Sequence, residues 1–286
     1  VGLSIDSTGV AANITSTTDG NAEDFTISLA GATDSSLILS STGTGADALQ
    51  INTSAGGIDI TATGNAVTVA EHAMYMMLSL SKGVTYYDKA VRSGDFKKNV
   101  SKIETYELFK KEILIAGFGR IGKNLIKRCL GFEMKVFVYD PFVNKEIIES
   151  YGGKKVEDLN VAVKTIDFLS IHMPLNKETK NLIDINILKK MKKNTIIVNT
   201  ARGGVINEID LDKALKDKII FGAGLDVFEK EPPDQSNPLL KNDRVLLSPH
   251  SSSFTKECKI RMGIETVQNI INFFENKIEK SMIVKL

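Results

Sequence analysis

Apolar residues fall at different spacings along this chain, and each spacing predicts a different kind of element. In residues 1–63 they come in short runs, FTISL (25–29), SLILS (36–40), ALQIN (48–52) and GIDIT (57–61), separated by Gly, Asp, Ser and Thr. Such runs read as short strands between turns. From Val67 the period becomes helical. Val67, Ala70, Met74, Met77 and Leu78 share one face, and Val69, Ala73, Met76 and Leu80 fill most of the other. A helix apolar nearly all round is a buried one. YYDKAVRSGDF (86–96) reads as a shorter helix ended by Gly94. Beyond Lys111, six apolar runs predict strands: EILIAG (112–117), KVFVYD (135–140), IDFLSIH (166–172), TIIVNT (195–200), IIFGAGLDV (219–227) and RVLLSPH (244–250). Helices lie between several of them. One carries Ile121, Leu125, Ile126 and Cys129 on one face, and another (207–216) turns Leu211, Ala214 and Leu215 inward. Continuous apolar strands alternating with helices imply a parallel sheet covered on both faces. Ile260, Ile264, Val267, Ile271 and Phe274 then mark a final amphipathic helix.

Composition turns the first change of spacing into a boundary. Residues 1–63 contain seven acidic residues, no Lys or Arg, 20 Ser or Thr, eight Gly and one aromatic, Phe25. The remainder therefore carries 36 basic against 28 acidic side chains, a charge of +8. A split this sharp marks a domain boundary near residue 63. The strands before it recur every ten or so residues, as in a fibre-like β repeat. The scarcity of large apolar groups fits a poorly ordered leader equally well, and both readings stay open. The +8 suits an anionic ligand, or simply a lysine-rich surface. No zinc-finger spacing, RNA-binding signature or arginine cluster occurs, so neither nucleic acid nor a metal is an expected partner. Cys129 and Cys258 form no CxxC, which predicts reduced thiols in a cytoplasmic protein. The longest apolar stretch, 67–80, is interrupted by Glu71 and His72 and falls short of the roughly 18 residues that span a bilayer, so no membrane partner is expected.

Candidate chemistry begins with GFGRIG (117–122), which follows a predicted strand and opens a predicted helix. In that context Gly117 permits a tight turn, Gly119 lets the backbone approach a pyrophosphate, and Gly122 lets the helix pack close to the strand. The helix N-terminus offers free N–H groups to the phosphates. Asp140 ends the next strand, 18 residues after Gly122. An acid there bonds ribose hydroxyls and repels a 2′-phosphate, which favours NAD over NADP. Arg202, Asp226, Glu231 and His250 all follow strand ends, where ligands of a doubly wound sheet bind.

VAEH, GFGRIGK, VYDP, HMPLNKETKNLI, NTARGGVINEIDLDKAL, GAGLDVFEKEPP and LSPH occur in this order. Together they resemble the D-isomer-specific 2-hydroxyacid dehydrogenase family, most closely its D-3-phosphoglycerate dehydrogenase branch, over residues 64–286. The resemblance implies a Rossmann-type α/β fold and hydride transfer between NAD(H) and a small anionic 2-hydroxy or 2-keto acid, with 3-phosphoglycerate favoured. It implies three catalytic residues. Arg202 would hold the substrate carboxylate, His250 would be the acid/base, and Glu231 would orient the His250 ring. Gly117, Gly119, Arg120, Ile121, Gly122, Asp140, Thr200, Ala201, Arg202, Asp226, His250 and Ser253 would line the cofactor, with Asp226 near the nicotinamide carboxamide. His172 would lie in the cofactor cleft without being the acid. His72 reads as a packing or hinge residue. Where family members follow the acid/base with IGG, this chain has SSS (251–253), which would alter contacts to substrate or nicotinamide.

The resemblance also predicts domain organisation. Residues 64–253 would form the NAD-binding domain with its leading helix, and 254–286 a remnant of the substrate domain. Residues 1–63 match nothing in the family, so the larger half of its substrate domain is missing and an unrelated leader stands in its place. A homodimer through the cofactor domain is implied. The alternative is a non-catalytic NAD-binding or structural protein, which the missing half favours.

Overall fold

A computed structural model describes residues 65–96, 102–275 and 277. The chain divides into two units, Val1–Ile58 and Asp59–Leu286. All described residues fall in the second. The strands expected at 25–61, and the boundary near residue 63, lie outside them.

Seven parallel strands form one sheet: β1 (Glu112–Ala116), β2 (Lys135–Tyr139), β3 (Lys154–Lys155), β4 (Phe168–Ile171), β5 (Ile196–Asn199), β6 (Gly222–Leu225) and β7 (Val245–Leu247). Their order is β3-β2-β1-β4-β5-β6-β7. The chain thus winds outward from β1 in one direction, then returns to wind outward from β4 in the other. The six expected strands are all present. The observed β6 is shorter than expected because residues 219–221 precede its pairing with β5. β3 was not expected, since Lys154–Lys155 is two polar residues with no apolar run.

Both faces of the sheet are buried, as continuous apolar strands require. In β1, Leu114 and Ala116 join one core and Ile113 and Ile115 the other. Between β2 and β5 lie the short helices α4 (Lys145–Ser150), α5 (Leu159–Ala162) and α6 (Ile185–Leu188), and the first core is completed by α7 (Glu208–Lys216) through Leu211, Ala214 and Leu215. The second is covered by α1 (Asn65–Lys82) and α3 (Arg120–Gly131). Each fully buried aliphatic side chain contributes about 1.5–3 kcal/mol, so the two layers hold the sheet rigidly under the site. α1 sits close because β6 is glycine-rich: a Cβ on Gly224 would stand 3.0 Å from Met76 Cβ. α2 is observed at Val84–Arg92, with Gly94 at φ +83 beyond it.

α8 (Lys256–Phe274) starts at Thr255, whose hydroxyl accepts from the Cys258 N–H. Its apolar stripe is present but faces outward: Ile264 is 63% and Phe274 71% exposed. No helix among the described residues is long and apolar enough to cross a membrane.

Candidate functional site

Sheet register builds the site. Ala116 pairs with Tyr139 and Ile171, Ile171 with Asn199, Asn199 with Leu225, and Leu225 with Leu247. One residue further on, Asp140, Gly117, His172, Thr200, Asp226 and Ser248 therefore form a row across the carboxyl edge of six strands. At a strand spacing of about 4.8 Å the row runs roughly 24 Å.

Gly117 has φ +100, and a Cβ there would lie 2.6 Å from the His172 carbonyl oxygen. A Cβ on Gly122 would lie 2.4 Å from the Gly117 carbonyl oxygen. Both glycines are required by close approach of backbone. Gly119 differs: among the described residues, nothing beyond its chain neighbours stands within 4 Å of a Cβ there, and no side chain caps the helix it precedes. Arg120 beside it is exposed and Ile121 half-buried. The loop thus presents open space and uncapped N–H groups at the start of α3. Asp140 holds the loop from the neighbouring strand, its carboxylate accepting from the Phe118 N–H at 2.7 Å and the Phe142 N–H at 2.9 Å.

Among the described residues, two buried side-chain polar atoms have no partner, and both lie in the middle of the row: His172 Nδ1 and Thr200 Oγ1. A buried polar atom left unpaired is costly, and both atoms stand between the glycine loop and the His250 end of the site. His172 Nε2 is 2.8 Å from Ser170 Oγ. Burial pushes the His172 imidazole from 6.5 down to about 3. An unfolded chain takes up this proton below about 6.5, whereas the folded one does not until about 3. Stability is therefore full above that window and drains as pH falls through it. Denaturation midpoints should drop between these pH values, and His172→Gln should flatten the drop. An unchanged slope in the variant would assign the acid sensitivity to other groups.

At the far end, His250 Nδ1 lies 2.7 Å from Glu231 Oε2. The other Glu231 oxygen accepts from the Phe228 N–H at 3.0 Å. Burial pushes the Glu231 carboxyl up, but the hydrogen bonds from His250 and Phe228 outweigh it and hold the group below its ordinary value. An ionised Glu231 accepts, so Nδ1 carries the hydrogen and Nε2 is the atom left for proton exchange. His250 adopts a left-handed backbone, φ 52, and its N–H donates to the Asp226 carbonyl at 2.8 Å. The Asp226 side chain is fully buried and accepts from Ser248 Oγ, the Ser251 N–H and the Ser252 N–H. Ser253 follows this anchored turn, half-buried.

Arg202 is exposed, and its guanidinium donates to the Ala201 carbonyl at 2.7 Å. Its loop is clamped by Asn199, which accepts from the buried Ala201 N–H and donates to the Arg202 carbonyl. Gly203 brings this loop against the backbone of Phe228 and Glu229. The structure thus joins Glu231, His250 and Asp226 by hydrogen bonds, and joins the Arg202 loop to them by backbone packing. Sequence reasoning passed over Asn199, whose signal is a polar residue closing the apolar run IIVN. It also passed over Glu208, which accepts from the Glu229 N–H and the Asn237 side chain.

Comparison with known proteins agrees with this fold. Residues 74–252 match the model of the D-isomer specific 2-hydroxyacid dehydrogenase, NAD binding domain. A D-3-phosphoglycerate dehydrogenase of Archaeoglobus fulgidus is 38% identical over 238 residues, covering 82% of this chain and 45% of that protein. A glyoxylate reductase of Thermococcus litoralis is 39% identical over 236 residues, covering 80% and 71%. The chain thus spans less than half the length of its phosphoglycerate dehydrogenase relatives, 45% and 41% in two archaeal cases. Among solved structures, D-lactate dehydrogenase from Aquifex aeolicus, complexed with NAD and lactic acid, superposes with a TM-score of 0.66 at 30% identity. That alignment covers 73% of this chain and 67% of the other. On its fold, its motifs and these matches, the chain belongs to the D-isomer-specific 2-hydroxyacid dehydrogenase family.

Proposed function

We propose that this chain is an NAD-dependent dehydrogenase that interconverts a small D-2-hydroxy acid and its 2-keto partner, with 3-phosphoglycerate favoured as substrate. The observation that carries this reading is the His250–Glu231 bond of 2.7 Å at the same sheet edge as the glycine loop. The residues present fit a dinucleotide. Gly117, Gly119, Arg120, Ile121 and Gly122 would receive the pyrophosphate at the start of α3, and Asp140 the adenosine ribose. Thr200, Ala201, Arg202, Asp226, His250 and Ser253 would line the nicotinamide end. The open space at Gly119 and the orphaned Thr200 Oγ1 and His172 Nδ1 support that fit.

Bound NADH supplies the hydride. Arg202 binds the substrate carboxylate through its forked guanidinium and polarises the keto oxygen. His250 donates a proton from Nε2 to that oxygen as charge develops there, and takes it back in the oxidative direction. Glu231 fixes the ring through Nδ1. Phosphoglycerate is favoured by the identity to phosphoglycerate dehydrogenases. Glyoxylate or hydroxypyruvate is the second reading, favoured by the glyoxylate reductases of similar identity. A homodimer in the cytoplasm is the accompanying assignment.

NADH oxidation by the full chain, followed by the loss of nicotinamide absorbance, separates these readings. Phosphohydroxypyruvate should give the highest kcat/KM, ahead of hydroxypyruvate and glyoxylate. A higher value with glyoxylate would replace the substrate assignment. NADH binding without turnover on any of the three would replace the enzyme with a nucleotide-binding protein.

A further inference from the structure

Ser248 Oγ stands between two groups, 2.5 Å from Asp226 Oδ1 and 2.9 Å from His72 Nε2. A hydroxyl has one proton to give. Burial pushes the Asp226 carboxyl up, but hydrogen bonds from Ser248, Ser251 and Ser252 outweigh it and hold the group below its ordinary value. Asp226 is therefore ionised at neutral pH and can only accept. The Ser248 proton goes to Asp226, and the Oγ lone pair is what faces His72. The hydrogen between Ser248 and His72 must then come from the imidazole.

We infer that His72 is a positioning residue for the His250 turn: its Nε2–H donates to Ser248 Oγ and so aims the Ser248 hydroxyl at Asp226. Asp226 in turn holds the turn by its carboxylate at Ser251 and Ser252, and by its carbonyl at the His250 N–H. The chain of contacts starts on α1 and ends 176 residues later at Ser248, two residues before His250. Burial lowers the His72 imidazole, and the Asp226 charge 3.9 Å away offsets this only in part. The ring is thus neutral near pH 7 with its single hydrogen on Nε2. Only a donor is needed, so glutamine, whose side-chain N–H₂ reaches the position of Nε2, should replace it, and leucine should not. The turn matters because His250 is held in a left-handed backbone conformation, which a non-glycine residue keeps only when its surroundings impose it.

The kinetic part of this inference rests on the dehydrogenase reading, and the spectroscopic part does not. In the full chain labelled with ¹⁵N, long-range proton–nitrogen correlation spectra should show His72 protonated at Nε2 and bare at Nδ1. With the preferred keto acid, His72→Leu should lower kcat about tenfold, in keeping with loss of a hydrogen bond in a charged network, with KM for NADH unchanged. His72→Gln should restore most of it. Ser248→Ala should cost no more in the His72→Leu background than leucine alone, since both break one relay. A hydrogen on Nδ1, or a glutamine variant no better than leucine, overturns the inference. If the wild-type chain turns over no substrate, the dehydrogenase reading falls, and the tautomer alone decides the role of His72.

Discussion

Replacing His250 with asparagine should reduce kcat with the preferred keto acid by about 10³-fold, within the range general acid–base groups contribute, while NADH affinity changes by no more than about twofold. Asparagine is the informative choice because position 250 has φ 52, and asparagine tolerates the left-handed region better than most residues. Backbone anchoring by the Asp226 carbonyl should survive. What disappears is the ring: the Nδ1 contact with Glu231, and with it an Nε2 able to hand over a proton. The prediction thus isolates proton transfer from loop geometry. Rapid-mixing turnover and fluorescence titration of NADH measure the two quantities separately. Equal losses in turnover and NADH binding would show that His250 serves as a structural anchor of the turn, and would remove the observation on which the proposed mechanism stands.

The parts of this protein legible in its sequence are those written in local patterns. The apolar runs of β1, β4 and β5 announced a doubly covered sheet because every residue of a buried strand needs an apolar face. GFGRIG announced the tight turn because backbone contacts made by Gly117 and Gly122 leave no room for a side chain. Other features are long-range and leave no local trace. The hydrogen bond from His72 to Ser248 joins residues 176 apart, and nothing near AEH predicts it. Asp226 was expected by resemblance at the nicotinamide end, but its two buried oxygens holding the 248–252 turn became visible only with the fold. Gly203 and Gly204 look alike in NTARGG. One is excluded from carrying a side chain by a neighbouring loop, the other has φ +80. α8 shows the reverse case. Its amphipathic pattern was legible, yet its stripe lies exposed, because periodicity reports a face to be covered and not what covers it.

Gly203→Ala should be the most damaging single methyl that can be added near the site. A Cβ at Gly203 would lie 1.8 Å from the Phe228 carbonyl oxygen, 1.9 Å from its carbon and 2.5 Å from the Glu229 nitrogen. All three are backbone atoms, so no rotamer change relieves the overlap, and the two loops must move apart by more than an ångström. Both are tethered against that movement. Asn199 clamps residues 201 and 202, Glu208 accepts the Glu229 N–H at 2.6 Å, and Glu231 accepts the Phe228 N–H. Separating the loops therefore strains these hydrogen bonds as well as packing, and a loss of about 3 kcal/mol or more is expected from backbone overpacking joined to weakened hydrogen bonds. It also moves Arg202 away from Glu231 and His250, so turnover should fall even at temperatures where the variant stays folded. Gly119→Ala is the matched control: among the described residues, no atom beyond its chain neighbours stands within 4 Å of its Cβ, and its stability should remain within about 0.5 kcal/mol of the parent. Urea denaturation of the two variants makes the comparison. A Gly203→Ala protein as stable as Gly119→Ala would mean that the Arg202 and Glu231 loops do not touch in solution, and the convergence of Arg202, Glu231 and His250 would lose its structural basis.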